Sequence, residues 1–412
     1  MATHPIRGIA LAGGGPLGAI YEIGALLALG ETLQGLDLAG CGVYVGVSSG
    51  AFIAAGLANG LSPKSMHRMF IESDAADDPF EPDLLLRPAL CEYANRLASL
   101  PGLLALAARE YLEPGGSAGF FESFGRLAHA LPTGVFDNAG VGDYLTQLLS
   151  GPKRTNDFRQ LKHKLFLVAT DIDTGAAVPF GADGWDDVPI ARAVQASSAL
   201  PGLFPPVEIG GRFYVDGALT KTLHASLALR ESAKLVLCIN PLVPFDARLA
   251  AERAHRDEVS VIRGGLPAIM SQTFRTLIYS RMRVSMGRYR KEYPDADVLL
   301  FEPERDDVEM FFTNVFSYSD RRRLCEHAYQ RTREDLRRRR SELAEALGRH
   351  GIAIDDKALA DEHRTLLARG HRKNHRRPDA LGQTAAKLDQ TIGRLERLLT
   401  TLAAPEGDQP AS

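Results

Sequence analysis

Three short stretches carry residues whose types and spacing could do chemistry together. Gly13-Gly14-Gly15-Pro16-Leu17-Gly18 lies between an apolar run, Ile6 to Leu11, and a helical pattern from Ala19 to Leu33. Consecutive glycines admit positive φ and turn several N–H groups toward one point. The start of the helix adds its positive end, so the loop can trap an anion. The same letters satisfy G-x-G-x-x-G, the dinucleotide fingerprint. That reading wants Asp or Glu at the end of the next strand to bind a ribose. The next apolar run, Val43 to Val47, ends in a serine instead, which counts against a nucleotide.

That serine belongs to Gly46-Val47-Ser48-Ser49-Gly50, a G-x-S-x-G between a strand and the helical pattern Ala51 to Asn59. A serine at such a turn sits on a strained elbow with Oγ exposed, and the flanking glycines make room for the turn and a substrate. Ser48 is the central serine and the candidate nucleophile; Ser49 merely follows it. The competing reading is that Ser48 only caps the helix.

A serine hydroxyl needs a base to take its proton. Of the 11 histidines, only His224 lies near a motif, and its pattern is that of a helix-surface residue. The alternative base is a carboxylate, Asp216 of Asp216-Gly217-Ala218, at the end of the run Arg212 to Val215. An aspartate at a strand end points into the crevice at the carboxyl edge of a sheet, where ligands sit in α/β folds. Asp-Gly is also a common turn pair. Burial that raises its pKa would let Asp216 act as a base. Asp171 and Asp173 read as a structural turn, because a calcium loop needs glutamate at its twelfth position and Ala182 stands there.

The elements that must position these residues alternate as strand, tight turn and helix, the pattern of a parallel sheet wrapped by helices. Further strands are expected at Lys164 to Thr170, Arg212 to Val215, Lys234 to Asn240 and Asp297 to Glu302. Residues 62 to 135 are punctuated by prolines and contain the uncharged segment Leu97 to Ala108, either a buried helix pair or a lid over an apolar site. From Asp320 onward the pattern is helical and charged, with an apolar stripe at Leu388, Ile392, Leu395, Leu399 and Leu402.

Taken in order, the three motifs resemble those of the patatin-like phospholipases. The resemblance extends to Ala169 through Gly175 and Ala196 through Pro206, and spans roughly residues 8 to 230. It implies a three-layer α/β/α fold with a mainly parallel central sheet, here followed by a C-terminal helical extension. The implied divisions are a catalytic domain over 8–230, a segment completing the core over 231–318 and a charged helical extension over 319–412. Residue by residue, Ser48 becomes the nucleophile, Asp216 its catalytic partner, and the amides around Gly13, Gly14 and Gly15 the oxyanion hole. Gly18, Gly46, Gly50, Gly217 and Ala218 complete the motifs. The implied activity is hydrolysis of lipid carboxylic esters, with no metal or organic cofactor. Many family members carry Arg or Lys where this chain has Leu17, which puts recognition of a phospholipid head group in doubt but not hydrolysis. Two readings from other classes compete: a lipid-binding scaffold with the same fold, and a nucleotide-dependent oxidoreductase.

Composition sets the bounds. With 412 residues, 45 % hydrophobic and 24 % charged, the chain is of ordinary globular type. A net charge of −3 gives no field that would hold a nucleic acid. The charge is uneven, since residues 319 to 412 hold 20 Lys and Arg against 15 Asp and Glu. Arg337 to Arg340, Arg372-Lys373 and Arg376-Arg377 could meet anionic lipid or form a solvated face. The four cysteines are far apart, which fits a reducing compartment rather than a disulfide framework. With no signal-like N-terminus and no run of 18 apolar residues, the expectation is a cytoplasmic protein or one peripheral to a membrane.

Overall fold

The computed structural model describes residues 6–72, 89, 132–254, 260–313 and 318–367. Its centre is an eight-stranded sheet: β1 (Arg7–Leu11), β2 (Val43–Val47), β3 (Lys164–Asp171), β4 (Ala177–Phe180), β5 (Val207–Ile209), β6 (Arg212–Asp216), β7 (Leu235–Ile239) and β8 (Asp297–Phe301). The order across it is β5-β6-β3-β2-β1-β7-β8, with β4 pairing to β3 off that path. Strands β3, β2, β1, β7 and β8 run parallel, in registers such as Gly8↔Val43, Val43↔Lys164 and Leu235↔Asp297. Strands β4 and β6 run antiparallel to β3. The sheet is thus mainly parallel with an antiparallel end.

The parallel strands are apolar on both sides because both sides are covered. Ile9 and Leu11 of β1 join the larger core, under α1 (Gly15–Thr32), α2 (Ser49–Ala58) and α3 (Ile190–Ser197). Ala10, with Val43, Val45, Val236 and Cys238, turns the other way, under α4 (Ala225–Arg230) and α5 (Gly265–Glu292). Three layers result. Helix α1 begins four residues earlier than its apolar pattern, inside the glycine run, where Pro16 supplies the fixed φ of a first turn.

Residues 318–367 pack into the same compact unit, which extends to Leu367. Helix α6 (Tyr318–Arg338) lies on α1, and Gly24 makes the approach feasible: a Cβ there would sit 2.4 Å from the Cys325 carbonyl oxygen. The arginine run is occupied inside this unit. Arg337 donates to the Leu359 carbonyl, Arg338 and Arg339 bind Asp335, and Arg340 meets Asp356. All four are engaged within this unit, while Arg338 and Arg340 keep more than half of their side chains exposed. Leu97 to Ala108, Arg372-Lys373, Arg376-Arg377 and the Leu388 to Leu402 stripe lie outside the described residues. Among the described residues no helix is long and apolar enough to cross a membrane.

Candidate active site

The topology brings the second and third motifs together. Leu167 and Val168 of β3 pair with both β2 and β4, and Ala169 and Thr170 pair with both β4 and β6. Strands β2 and β6 therefore share one edge of β3, arriving from opposite ends. They stop against neighbouring residues of it, Val47 opposite Val168 and Asp216 opposite Ala169. Ser48, the residue after Val47, is delivered to the end of β6, although Asp216 is far away in the chain.

The elbow at Ser48 has the backbone its motif requires. Ser48 takes φ 55 and ψ −124, a left-handed conformation rare for a residue with a side chain. Such a conformation costs on the order of 1–3 kcal/mol and persists only where the surroundings enforce it. Enforcement comes from close packing and one hydroxyl. A Cβ on Gly46 would lie 2.5 Å from the Gly50 carbonyl oxygen, and one on Gly50 would lie 2.6 Å from those of Leu11 and Ala12. The Ser48 N–H donates to Ser197 Oγ at 2.9 Å, and Ser197 Oγ donates to the Val168 carbonyl at 2.6 Å. Ser197 ends α3, and no spacing in the sequence marks it for this part. Only the long-range contact reveals it.

Ser48 occupies the N-cap position of α2, yet its side chain makes no capping hydrogen bond. Its side chain lies near enough to the Asp216 carboxylate to pull that group's pKa down, against the effect of burial. Ser49 plays no such part, since its Oγ is enclosed without a hydrogen-bond partner and lies against Gly18.

Asp216 is 3 % exposed. Its N–H donates to the Ala199 carbonyl, its own carbonyl accepts from Thr170 Oγ1, and Oδ1 accepts from the Ala218 N–H at 2.8 Å. Burial pushes the carboxyl up to about 6, against the opposing pull of the Ser48 hydroxyl and the Ala218 amide. Gly217 is required by space: a Cβ would stand 2.2 Å from the Val168 carbonyl oxygen.

The glycine loop closes the third side. A Cβ on Gly13 would sit 3.0 Å from Ser48 Cβ, 3.4 Å from Ala218 Cβ and 3.7 Å from Ser48 Oγ, so this residue faces the candidate pair directly. Gly14 is pressed against Pro241 and Gly18, while Gly15, at φ 62, looks into open space. No side chain caps α1, so its first-turn N–H groups have no side-chain partner at the N-cap. Ser48, the end of β6 at Asp216 and Gly13 of the glycine loop are therefore neighbours.

Residues 9–229 match the family model described as patatin-like phospholipase. The chain belongs to that family. Relatives include uncharacterized NTE family proteins of Mycobacterium bovis, 26 % identical over 195 residues, and of a Mycobacterium tuberculosis strain, 27 % identical over 195 residues. Each alignment covers 47 % of this chain and 30 % of the relative, so the chain spans under a third of those proteins. Among solved structures, VipD of Legionella pneumophila is 17 % identical with a TM-score of 0.37, covering 80 % of this chain and 66 % of VipD. The ExoU chain of its complex with SpcU from Pseudomonas aeruginosa is 16 % identical, TM-score 0.30, covering 82 % and 53 %. Human GIVD cytosolic phospholipase A2, in complex with a fluorophosphonate inhibitor, is 15 % identical, TM-score 0.30, covering 87 % and 60 %.

Within this patatin-like frame, one residue differs from its sequence-based description. His224 is no helix-surface residue. It is the N-cap of α4, with Nε2 enclosed and unpartnered, and burial, reinforced by Lys221, pushes its pKa down to about 3. Leu17, where many patatin-like proteins carry a cation, is 7 % exposed and packs in the main core. Asp171 holds its turn by accepting the N–H groups of Asp173 and Thr174 on one oxygen, with the Arg212 guanidinium 3.6 Å from the other.

Proposed function

We propose that the chain is a lipid acyl hydrolase working through a Ser48–Asp216 dyad and a covalent acyl-serine. Asp216 accepts the Ser48 proton as Oγ attacks the ester carbonyl. With a pKa of about 6, the carboxyl is roughly nine-tenths ionised at pH 7 yet basic enough to take a proton, the compromise a general base needs. Peptide N–H groups of Gly13, Gly14 and Gly15, with the positive end of α1, receive the oxyanion; one such donor is typically worth about 3 kcal/mol. Collapse of the tetrahedral intermediate releases the alcohol as Asp216 returns the proton. Water deprotonated by the same carboxylate then frees the acid. These steps use only the chain's own groups and water.

The observation that supports the reading is the strained Ser48 elbow, free of helix capping, ending one strand step from a buried carboxylate. A lipid substrate is inferred from family membership, and the buried Leu17 favours recognition through the acyl chain over a charged contact at that position. The test pairs two measurements on the intact chain: labelling by a fluorophosphonate probe and hydrolysis of a p-nitrophenyl acyl ester. Both are expected in the native protein and absent in Ser48→Ala. An unlabelled native protein would instead mark a lipid-binding scaffold, and turnover retained by Ser48→Ala would refute the dyad.

A further inference from the structure

Helix α5 is apolar on two sides. Its inner side is accounted for: Met282 and Tyr289 pack in the core beside β7, while Ile278 and Phe274 cluster with Val47 and Ala218. Its outer side has no such account. Among the described residues, fifteen large hydrophobic side chains are exposed, and six of them lie between Ile262 and Val284. Ile262 is 77 % exposed, Leu266 71 %, Val284 65 %, Leu277 59 % and Met270 54 %. At 100° per residue, Leu266, Met270, Leu277 and Val284 fall on one line along the helix. Arg281, Arg288 and Lys291 follow on the same side toward its C-terminal end. The helix holds six cations in all and a single carboxylate, Glu292, at its last position.

We propose that α5 is a membrane-docking helix that lays its outer side into the surface of an anionic lipid bilayer. A helix with exposed Leu, Ile and Met on the side that also carries arginine and lysine matches what an interface requires: apolar side chains for the acyl boundary and cations for anionic head groups. Charge selects this occupant. With Arg275 buried and Arg288 paired to Glu292, the exposed Arg281, Arg283, Arg290 and Lys291 would repel a second copy of the helix packed along the same stripe. Position supports it as well. Arg281 donates to the Leu219 carbonyl at 2.8 Å, and Ile278, next to the exposed Leu277, shares a small cluster with Val47, just before Ser48, and Ala218, two residues after Asp216. The stripe is thus one helix thickness from the candidate site, about 10 Å. Docking would bring the elbow to the phase in which long-chain esters reside. That last step rests on the acyl-hydrolase reading; the docking itself does not.

The experiment uses the full chain and vesicles of phosphatidylcholine with or without phosphatidylglycerol, read by co-sedimentation. Native protein is expected to bind the anionic vesicles, and to bind neutral ones at least about tenfold more weakly, as attraction by several cations predicts. The triple variant Leu266→Glu, Met270→Glu, Leu277→Glu, checked for an unchanged melting transition, is expected to lose anionic binding by at least about tenfold. Arg288→Gln with Lys291→Gln is expected to weaken it and flatten its salt dependence. Native protein that ignores both vesicles, or a triple variant that binds like the native chain, overturns the proposal. So does a native dimer that the triple variant converts to monomer without any vesicle binding. Hydrolysis of a soluble short-chain ester by the native protein is measured separately. Its absence alongside stripe-dependent vesicle binding would refute the hydrolase reading and leave the docking helix standing.

Discussion

Replacing Asp216 by Asn is expected to abolish hydrolysis and, at the same time, to stabilise the fold. The buried carboxyl sits at about 6 against an ordinary 3.8, so the folded protein holds its proton to higher pH than the unfolded chain does. The direction follows from linkage: between pH 4 and 6 the native state binds more protons, and native stability falls as pH rises through that window. Above it the loss is complete, about two pKa units or roughly 3 kcal/mol. Asparagine carries no charge, keeps an oxygen for the Ala218 N–H, and has no such slope. The stability difference between variant and native chain is therefore expected to grow from near zero at pH 4 to about 3 kcal/mol above pH 6. For a unit of about 360 residues, unfolding entropy near 2.1 cal/mol/K per residue turns this into a melting shift of about 4 °C. Melts of both proteins at half-unit pH steps, with ester hydrolysis measured in parallel, provide the assay. A difference independent of pH, or turnover retained by the variant, would falsify the assignment of Asp216 as a buried base.

Ser197→Ala removes the hydroxyl shared by the Ser48 N–H and the Val168 carbonyl; a loss of about 1–3 kcal/mol in stability is expected from urea melts, with a lower kcat, because two buried groups lose a partner. Gly13→Ala crowds Ser48 and disturbs the amide row, so a fall in kcat of about a hundredfold or more is expected on a p-nitrophenyl ester, with fluorophosphonate labelling slowed in step. His224→Gln is expected to leave the pH–rate profile unchanged between pH 5 and 8, since a histidine pushed down to about 3 does not titrate there. The rate of the native protein is expected to fall as pH drops through about 6, where Asp216 takes up its proton; a profile flat down to pH 4.5 would count against it.

Much of this site can be read along the chain because it is built from punctuation. An apolar run that stops at Gly13, at Ser48-Ser49-Gly50 or at Asp216-Gly217 marks a strand end and supplies the chemistry in the same few letters. The boundaries of β1, β2, β3, β6, β7 and β8 fall within a residue of those runs. Strands β4 and β5 were invisible for equally local reasons. Pro179 interrupts the first and three residues make up the second, so neither has a period to detect. Helix α5 escaped notice because its outer apolar stripe and inner packing residues together blur a one-sided pattern. Ser197 and the buried ring of His224 depend on contacts between distant segments, which no spacing encodes. Placement of the reacting pair belongs to the same class: the glycines announce two sharp turns, and only the strand order makes them meet.

That meeting on β3 separates reaction geometry from the length of the intervening chain. The offset between the ends of β2 and β6 is one step along a central strand, about 3.3 Å, whatever the span from Ser48 to Asp216. On the proposed reading, insertions or deletions between β2 and β3, or between β4 and β6, can reshape what surrounds an ester without displacing Ser48 from Asp216. A one-residue slip of β6 against β3 would have the opposite effect, turning Asp216 to the other face of the sheet while leaving the surroundings intact. The surroundings of the candidate site and the pairing of its two residues thus reside on separable parts of the chain, one tolerant of drift and the other fixed by a ladder of backbone hydrogen bonds.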